Sequence, residues 1–284
     1  MKEVALMKKT VLILGAGGFL GRYLCREGKI RGWRVVGVGR KIPTDSECDN
    51  FLAGDLLELD LQRLLRKTSP ECIINAAGAS SVSDSFLNPY RDFQQNVEVQ
   101  AKMLEGIRQY GKKCFYIFLS SAAVYGEPET LPVREDTSCR PISPYGVHKR
   151  QAEVLQEEYV RFFGLKGAAL RIFSAYGEGL ERQVVYELTK KIQEAKDFLE
   201  VYGTGEETRD FIHASEVARI VYAIAEKKAE GVFNVASGKQ TRIADLAQRL
   251  VNELRPGLPI VFTGEGKEGN PLKWEADITK LSKI

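Results

Sequence analysis

Apolar residues along this chain fall into two alternating patterns: short unbroken runs, and longer stretches in which they recur every three or four positions. Residues 10–14, Thr-Val-Leu-Ile-Leu, form the first run and lead into glycines at 15, 17 and 18. A run of that length, bounded by turn residues, reads as a strand buried on both faces. Residues 18–30 then carry helical spacing, with Leu20, Leu24 and Cys25 on one face. Further runs at 34–38, 71–76, 113–120 and 166–173 predict four more strands, and 90–110 and 145–163 predict long helices. Strand alternating with helix implies an α/β chain with a doubly wound parallel sheet, helices on both faces and right-handed crossovers.

Past residue 173 the rhythm loosens. Glycines at 177, 179, 203 and 205 mark loops, 181–197 and 242–254 read as amphipathic helices, and 198–201, 209–212, 231–235 and 260–262 as short strands. The expected division is a sheet domain over 1–173, with 208–232 returning to it, and a smaller α/β lobe from 174–207 and 233–284. That lobe is expected to cover the carboxyl ends of the strands, where open α/β sheets bind ligands.

Bulk properties narrow the field. A length of 284 residues suits one large α/β unit with an appended lobe. The net charge of +3 is a near balance, which gives no reason to expect a nucleic acid or membrane partner. The five cysteines, at 25, 48, 72, 114 and 139, are odd in number and contain no Cys-x-x-Cys pair. That argues against a disulfide framework or a zinc site and fits a reducing, cytoplasmic compartment. The first ten residues hold no long apolar run, so neither a signal peptide nor a membrane span is expected. The two histidines lack metal-ligand spacing; His148 is expected at the surface and His213 in a structural role.

Gly15, Gly18 and Gly21 sit where the first strand becomes the first helix, followed at 19 and 20 by Phe19 and Leu20. Glycines there let the backbone turn sharply and approach a pyrophosphate, which the helix N-terminus then attracts. The spacing departs from the generic Gly-x-Gly-x-x-Gly, and a glycine-rich turn without a ligand is the plain alternative. Within a βαβ unit the turn predicts a Rossmann-type dinucleotide site. The second strand runs into Arg40, nineteen residues after Gly21, where an acid would select NAD. A guanidinium pairs with a 2′-phosphate, so NADP is favoured and NAD stays possible. Arg40 and Lys41 as solvated charges is the other reading. Asp55, next to Leu56, reads as a contact to the adenine edge or as a helix N-cap.

Tyr145 and Lys149 lie four apart at the start of a helix, hence on one face. A phenol titrates near 10 in water, and a neighbouring ammonium with a positive nicotinamide would favour its ionised form. Such a tyrosine can exchange a proton with a substrate hydroxyl while hydride moves. Ser121 ends a buried run and can reach the same oxygen. A helix-start tyrosine with a surface lysine is the alternative.

Taken together, the segments 15–21, 75–78 (Asn-Ala-Ala-Gly), Asn96-Val97, 120–126, 143–149, 171–177, 209–211, 233–238 and 276–277 resemble, in order, the extended short-chain dehydrogenase/reductase family, the nucleotide-sugar epimerase/dehydratase group. The resemblance covers nearly the whole chain and is specific for the superfamily, not for a substrate. It implies Tyr145 as acid/base, Lys149 as its electrostatic partner, and Ser121 beside the sugar oxygen. Ala76, Ala77, Gly78 and Asn96 join the cofactor site; Ser81, Ser174 and Arg209 join the nucleotide-sugar site, Arg209 holding the diphosphate. An Arg209–Asp210 surface pair is the alternative. It further implies a homodimer through the helices at 90–110 and 145–163, whose apolar residues could otherwise pack on the sheet.

Departures from the family pattern narrow the reaction. Ala122 and Ala123 stand where 4,6-dehydratases carry an Asp-Glu pair, and Ala122 stands where certain epimerase-reductases carry a cysteine; both chemistries are disfavoured. Ser174 replaces a usual Asn. Family chains continue with a further helix past a segment like 276–281, whereas this sequence stops at Ile284. Hydride transfer at sugar C4 remains: a 4-ketoreductase, favoured on Arg40, or a 4-epimerase with tightly held NAD. A catalytically silent dinucleotide sensor is the reading from another class; such relatives typically lose the Tyr/Lys pair, present here.

Overall fold

A computed structural model of the chain describes residues 8–42, 47–111, 113–264, 269 and 271–284. Its centre is a seven-stranded, all-parallel sheet. In chain order the strands are β1 (Thr10–Leu14), β2 (Arg34–Gly39), β3 (Asn50–Ala53), β4 (Cys72–Asn75), β5 (Phe115–Ser121), β6 (Lys166–Ile172) and, after three strands of the lobe, β10 (Gly231–Val235). They lie side by side in the order β10-β6-β5-β4-β1-β2-β3. The order reverses at β1, which pairs with β2 on one side and β4 on the other. This is the Rossmann-type doubly wound fold, and the crevice outside the carboxyl ends of β1 and β4 is its switch point.

Every residue of β1 and β4 is buried, because helices cover both faces. One face packs on α1 (Phe19–Ile30) and α8 (Ala214–Lys227), with Leu24, Trp33, Val221 and Tyr222 in the core. The other packs on α2 (Leu61–Thr68), α5 (Val99–Tyr110) and α6 (Pro144–Phe163), through Leu64, Met103, Leu104 and Ala152. Truncating a fully buried Leu104 or Met103 to Ala would cost about 2–5 kcal/mol.

Two short helices, α3 (Val82–Leu87) and α4 (Pro89–Phe93), follow β4. The lobe holds β7 (Ser174–Tyr176), α7 (Gln183–Glu194), β8 (Leu199–Val201), β9 (Thr208–His213), β11 (Gln240–Arg242), α9 (Ile243–Leu254) and β12 (Ile260–Phe262). β9 joins β7 and β11 in a three-stranded sheet, and β8 pairs with β12. A separate core of Leu188, Ile192, Val201, Ala247 and Val251 fixes α7 against α9.

The structure departs from the sequence expectations in four places. β3 was not predicted: it is an edge strand with only Phe51 half-buried, so no periodicity announces it. α8 was not predicted either, its apolar positions being read as part of a returning segment. The expected helix 90–110 is instead α4, a wide π turn (Gln94–Glu98) and α5. The expected return to the main sheet at 208 begins only with α8, and the expected edge at 233 falls inside β10. β9 alternates buried and half-buried residues, the pattern of a strand in a small sheet with one covered face rather than of one sandwiched between helices.

Candidate active site

The carboxyl ends of β1, β4, β5 and β6 open into a cleft of about 910 Å³ whose far wall is the lobe. The glycine turn forms one end. Gly15 has φ +78° and a Cβ there would meet Ala76 O at 2.8 Å; a Cβ on Gly21 would lie 2.1 Å from Gly15 O. Both positions exclude a side chain, so α1 starts tightly against the strand ends. Gly18, by contrast, has only one atom within reach of a Cβ, at 3.2 Å, and lines the cleft together with Phe19 and Leu20. It is the N-cap of α1, with no side-chain cap and no acid in the first turn. An uncapped helix N-terminus under a bare backbone cradle is suited to an anionic group such as a pyrophosphate.

Ala76, Ala77 and Gly78 continue this wall. Asn75 holds their turn: its Oδ1 accepts from Ala77 N at 3.1 Å, and its Nδ2 donates to Gln100 Oε1 and Tyr116 OH, each at 3.0 Å. Gly78 has φ +135°, and a Cβ there would meet Asn96 Oδ1 at 2.5 Å. Asn96 therefore supports the wall from behind, its Nδ2 donating to Asp92 O and Oδ1 at 3.2 and 3.1 Å. Gly39, at the end of β2, packs against the glycine turn, and Arg40 beyond it is exposed and outside the cleft lining. Asp55 is also exposed; its carboxylate accepts from Leu57 N at 2.9 Å, a local turn that buries Leu56.

Ser121, Tyr145 and Lys149 all face the cleft. Ser143 caps α6, its Oγ accepting from Gly146 N at 3.1 Å, and Pro144 occupies the first turn. Gly146 lets α6 approach the turn that follows β5 closely, since a Cβ would lie 2.6 Å from Ala123 O. Tyr145 and Lys149 are thereby buried, at 8% and 4% exposure. The Lys149 ammonium donates to Leu119 O at 3.1 Å and lies 5.9 Å from the Tyr145 ring centre. Burial pushes the Tyr145 phenol up to about 12, against a hydrogen bond with Ser121 and the charge of Arg182, while Asp92 pushes it further up. Burial brings Lys149 down to about 8, resisted by Asp92 and Glu153. The expected lowering of the phenol by Lys149 is not what acts here: desolvation dominates, and Ser121 and Arg182 are the groups that oppose it.

Opposite stand Ser174 on β7 and Arg209 on β9. Arg209 Nη1 donates to Thr208 O at 2.7 Å, and the guanidinium lies 5.5 Å from the Trp274 ring centre. Burial lowers its pKa, the mark of a desolvated cation. It is not in a surface pair with Asp210, which is fully buried and accepts from Ser237 N, Gly238 N and Ala276 N at 2.8–3.2 Å. Ser81 lines the cleft but caps α3, accepting from Asp84 N at 3.1 Å.

Sequence reasoning missed several groups here. Ser85 is fully buried and accepts from Tyr145 N at 3.1 Å, tying α3 to the start of α6. Arg182 reaches into the cleft and hydrogen-bonds Ser80. His148 is not at the surface: its Nδ1 lies 2.6 Å from Asp92 Oδ1, with side-chain exposures of 12% and 2%. No local pattern connects residues 56 or more positions apart. The π turn was the one available sign, and it is read only from the backbone. His213 caps α8, its Nδ1 2.7 Å from Ser215 Oγ. Among the described residues no cluster of three metal-ligating side chains occurs, and no helix is long and apolar enough to cross a membrane.

A doubly wound sheet with a bare glycine turn and a buried tyrosine–lysine pair at its switch point defines a dinucleotide-site architecture. The chain belongs to the NAD dependent epimerase/dehydratase family, whose model matches residues 11–236. It is similar to the Bacillus cereus UDP-glucuronic acid 4-epimerase, solved with UDP-glucuronic acid and NAD: TM-score 0.87, 28% identity, 97% of this chain and 92% of that one. It is also similar to the UDP-N-acetylglucosamine 4-epimerase of Methanobrevibacter ruminantium, with TM-score 0.86, 26% identity and coverages of 97% and 91%. A Methanocaldococcus jannaschii protein, provisionally named a UDP-glucose 4-epimerase, is 28% identical over 96% of this chain and 92% of its own length.

Proposed function

We propose that the protein is an NAD-dependent nucleotide-sugar 4-epimerase. The observation that carries this reading is the convergence of Ser121, Tyr145 and Lys149 on one wall of the cleft beside the uncapped start of α1. NAD replaces the NADP expected from Arg40. The similar Bacillus cereus enzyme was solved with NAD. With that, the single reduction favoured from the sequence gives way to reversible epimerisation.

Gly15, Gly18 and Gly21, with the first turn of α1, would take the pyrophosphate, and Ala76, Ala77 and Gly78 would flank the dinucleotide. What it supplies when bound is reversible hydride acceptance and a positive ring. Tyr145 accepts the proton of the sugar's C4 hydroxyl and later returns it; Ser121 hydrogen-bonds the same oxygen. Lys149, titrating at about 8, is mostly cationic at neutral pH and supports the phenolate. Arg209 holds the diphosphate. Ala122 and Ala123 offer no acid to drive loss of water. The lobe over 174–213, with the chain that follows β10, is the substrate-binding unit.

The test uses the protein as purified. Heat denaturation should release NAD, and UDP-glucose, UDP-glucuronic acid or UDP-N-acetylglucosamine should convert to its C4 epimer, followed by NMR, with no cofactor added. No epimerisation of these, but reduction of a 4-keto nucleotide sugar with stoichiometric NADPH, would establish the ketoreductase instead; tight cofactor binding with neither reaction would establish the sensor. We also propose a homodimer through α3, α4 and α6, whose Phe86, Leu87, Tyr90 and Val154 are 42–79% exposed. A monomer by sedimentation would remove it.

A further inference from the structure

We propose that Cys25 and Cys48 are a disulfide-forming pair, a modification site at the foot of the phosphate-binding turn. Their sulfurs lie 3.1 Å apart although the residues are 23 positions apart in sequence. That is closer than two non-bonded sulfurs ordinarily sit. The fold brings them together: Cys25 is on the buried face of α1, and Cys48 precedes β3, whose partner β2 packs beneath α1. Gly37 of β2 makes the room, since a Cβ there would lie 2.6 Å from Cys48 Sγ and 2.9 Å from the Ala16 methyl. Cys48 and Ala16 of the glycine turn thus border the same space above Gly37, and a bond to Cys25 fastens the residues just before β3 to the helix that starts at that turn. The other cysteines are placed differently. Cys72 and Cys114 are buried at the starts of β4 and β5, with Cys114 donating to Pro70 O at 2.9 Å, and Cys139 lies in the loop before α6.

Exposure sets the order of the chemistry. Cys25 is 2% exposed and cannot meet an oxidant in solution, whereas Cys48 is half-buried. Its hydrogen bond to Cys48 and its burial also hold the Cys25 thiol far above the usual range, so it is a poor first nucleophile. With a low-molecular-weight disulfide such as oxidised glutathione, the Cys48 thiolate attacks one sulfur, breaks that S–S bond and expels one glutathione thiolate. Cys25 then gives up its proton, attacks the Cys48 sulfur and expels the second glutathione. Two protein thiols are oxidised and one glutathione disulfide is reduced to two thiols.

The test is titration of the full-length protein with glutathione buffers from fully reduced to fully oxidised, followed by alkylation under denaturing conditions and peptide mass spectrometry. The expected result is a linked pair of peptides containing Cys25 and Cys48, reversed by dithiothreitol, with Cys72, Cys114 and Cys139 still alkylated. The oxidised protein should melt roughly 5 °C above the reduced one, a shift that Cys48→Ala lacks. Cys25 and Cys48 both remaining alkylatable at the oxidised end would overturn the proposal. So would a stable glutathione adduct on Cys48 that never passes to Cys25.

Discussion

The two walls of the cleft are made differently. Ser121, Tyr145 and Lys149 hang from β5 and α6, long elements whose inward residues are almost wholly buried and whose start is fixed by Ser143, Pro144 and Ser85. Arg182 and Arg209 come from the N-cap of α7 and from β9, in a lobe of small sheets with its own core. The main-sheet wall buries groups that titrate; the lobe wall presents guanidinium groups that do not. Chemistry that needs reacting atoms held to a fraction of an ångström belongs on the first wall. Recognition of an anionic ligand, which varies with the ligand, belongs on the second.

That division predicts opposite kinetic signatures for two single changes. Tyr145→Phe keeps the ring and the packing and removes only the proton donor. The turnover number should fall by roughly 10³-fold, within the range typical of acid/base groups, with cofactor content and KM nearly unchanged. Arg209→Ala removes a half-buried cation from the far wall and should raise KM by about 30-fold while the turnover number moves only a few-fold. Steady-state kinetics on both variants decide it: equal losses of turnover would mean that the walls do not divide the work.

The sequence made the first wall far more legible than the second. The glycine turn and the Tyr145–Lys149 pair are local patterns, in which spacing alone settles which atoms can share a pocket. The strands of the main sheet are apolar runs because helices cover both faces. The lobe offered less, since its strands are mostly three residues long and their order within each sheet depends on non-local pairing. Arg209 is reached through its resemblance to a family motif; Arg182 falls within 181–197, which reads as an amphipathic helix, where an arginine is an ordinary polar-face residue. Asp92 was invisible for another reason. An acid amid apolar residues reads as a solvent-facing position, and only the packing of α4 on α6 shows that it is buried against His148.

A smaller effect concerns stability. Burial brings Lys149 from its ordinary 10.5 to about 8 in the folded protein. Between those two values the unfolded chain binds a proton that the folded chain has released, so stability rises with pH across that window and is flat below it. At neutral pH the buried ammonium is therefore a cost. Lys149→Met should stabilise the cofactor-free protein at pH 7 by about 1–3 kcal/mol, remove the rise between pH 8 and 10.5, and abolish turnover. Denaturant melts at a series of pH values check this. A destabilised variant would show that the bond to Leu119 O outweighs the desolvation of the charge.

The smallest expected effect tests whether α4 tunes the first wall through Asp92. Asp92 Oδ1 carries both polar contacts, to His148 and Asn96, while its buried Oδ2 has no hydrogen-bond partner. Asp92→Asn can therefore keep both contacts through Oδ1 and remove the negative charge. That charge raises the pKa of both Tyr145 and Lys149, so its loss should shift the pH–rate profile of the proposed epimerase to lower pH by about half a unit. Turnover at the optimum should change no more than about threefold. A purely structural Asp92 would lower activity at every pH and leave the profile where it was; a profile moved toward acid at nearly full activity would make Asp92 a positioning residue for the tyrosine–lysine pair.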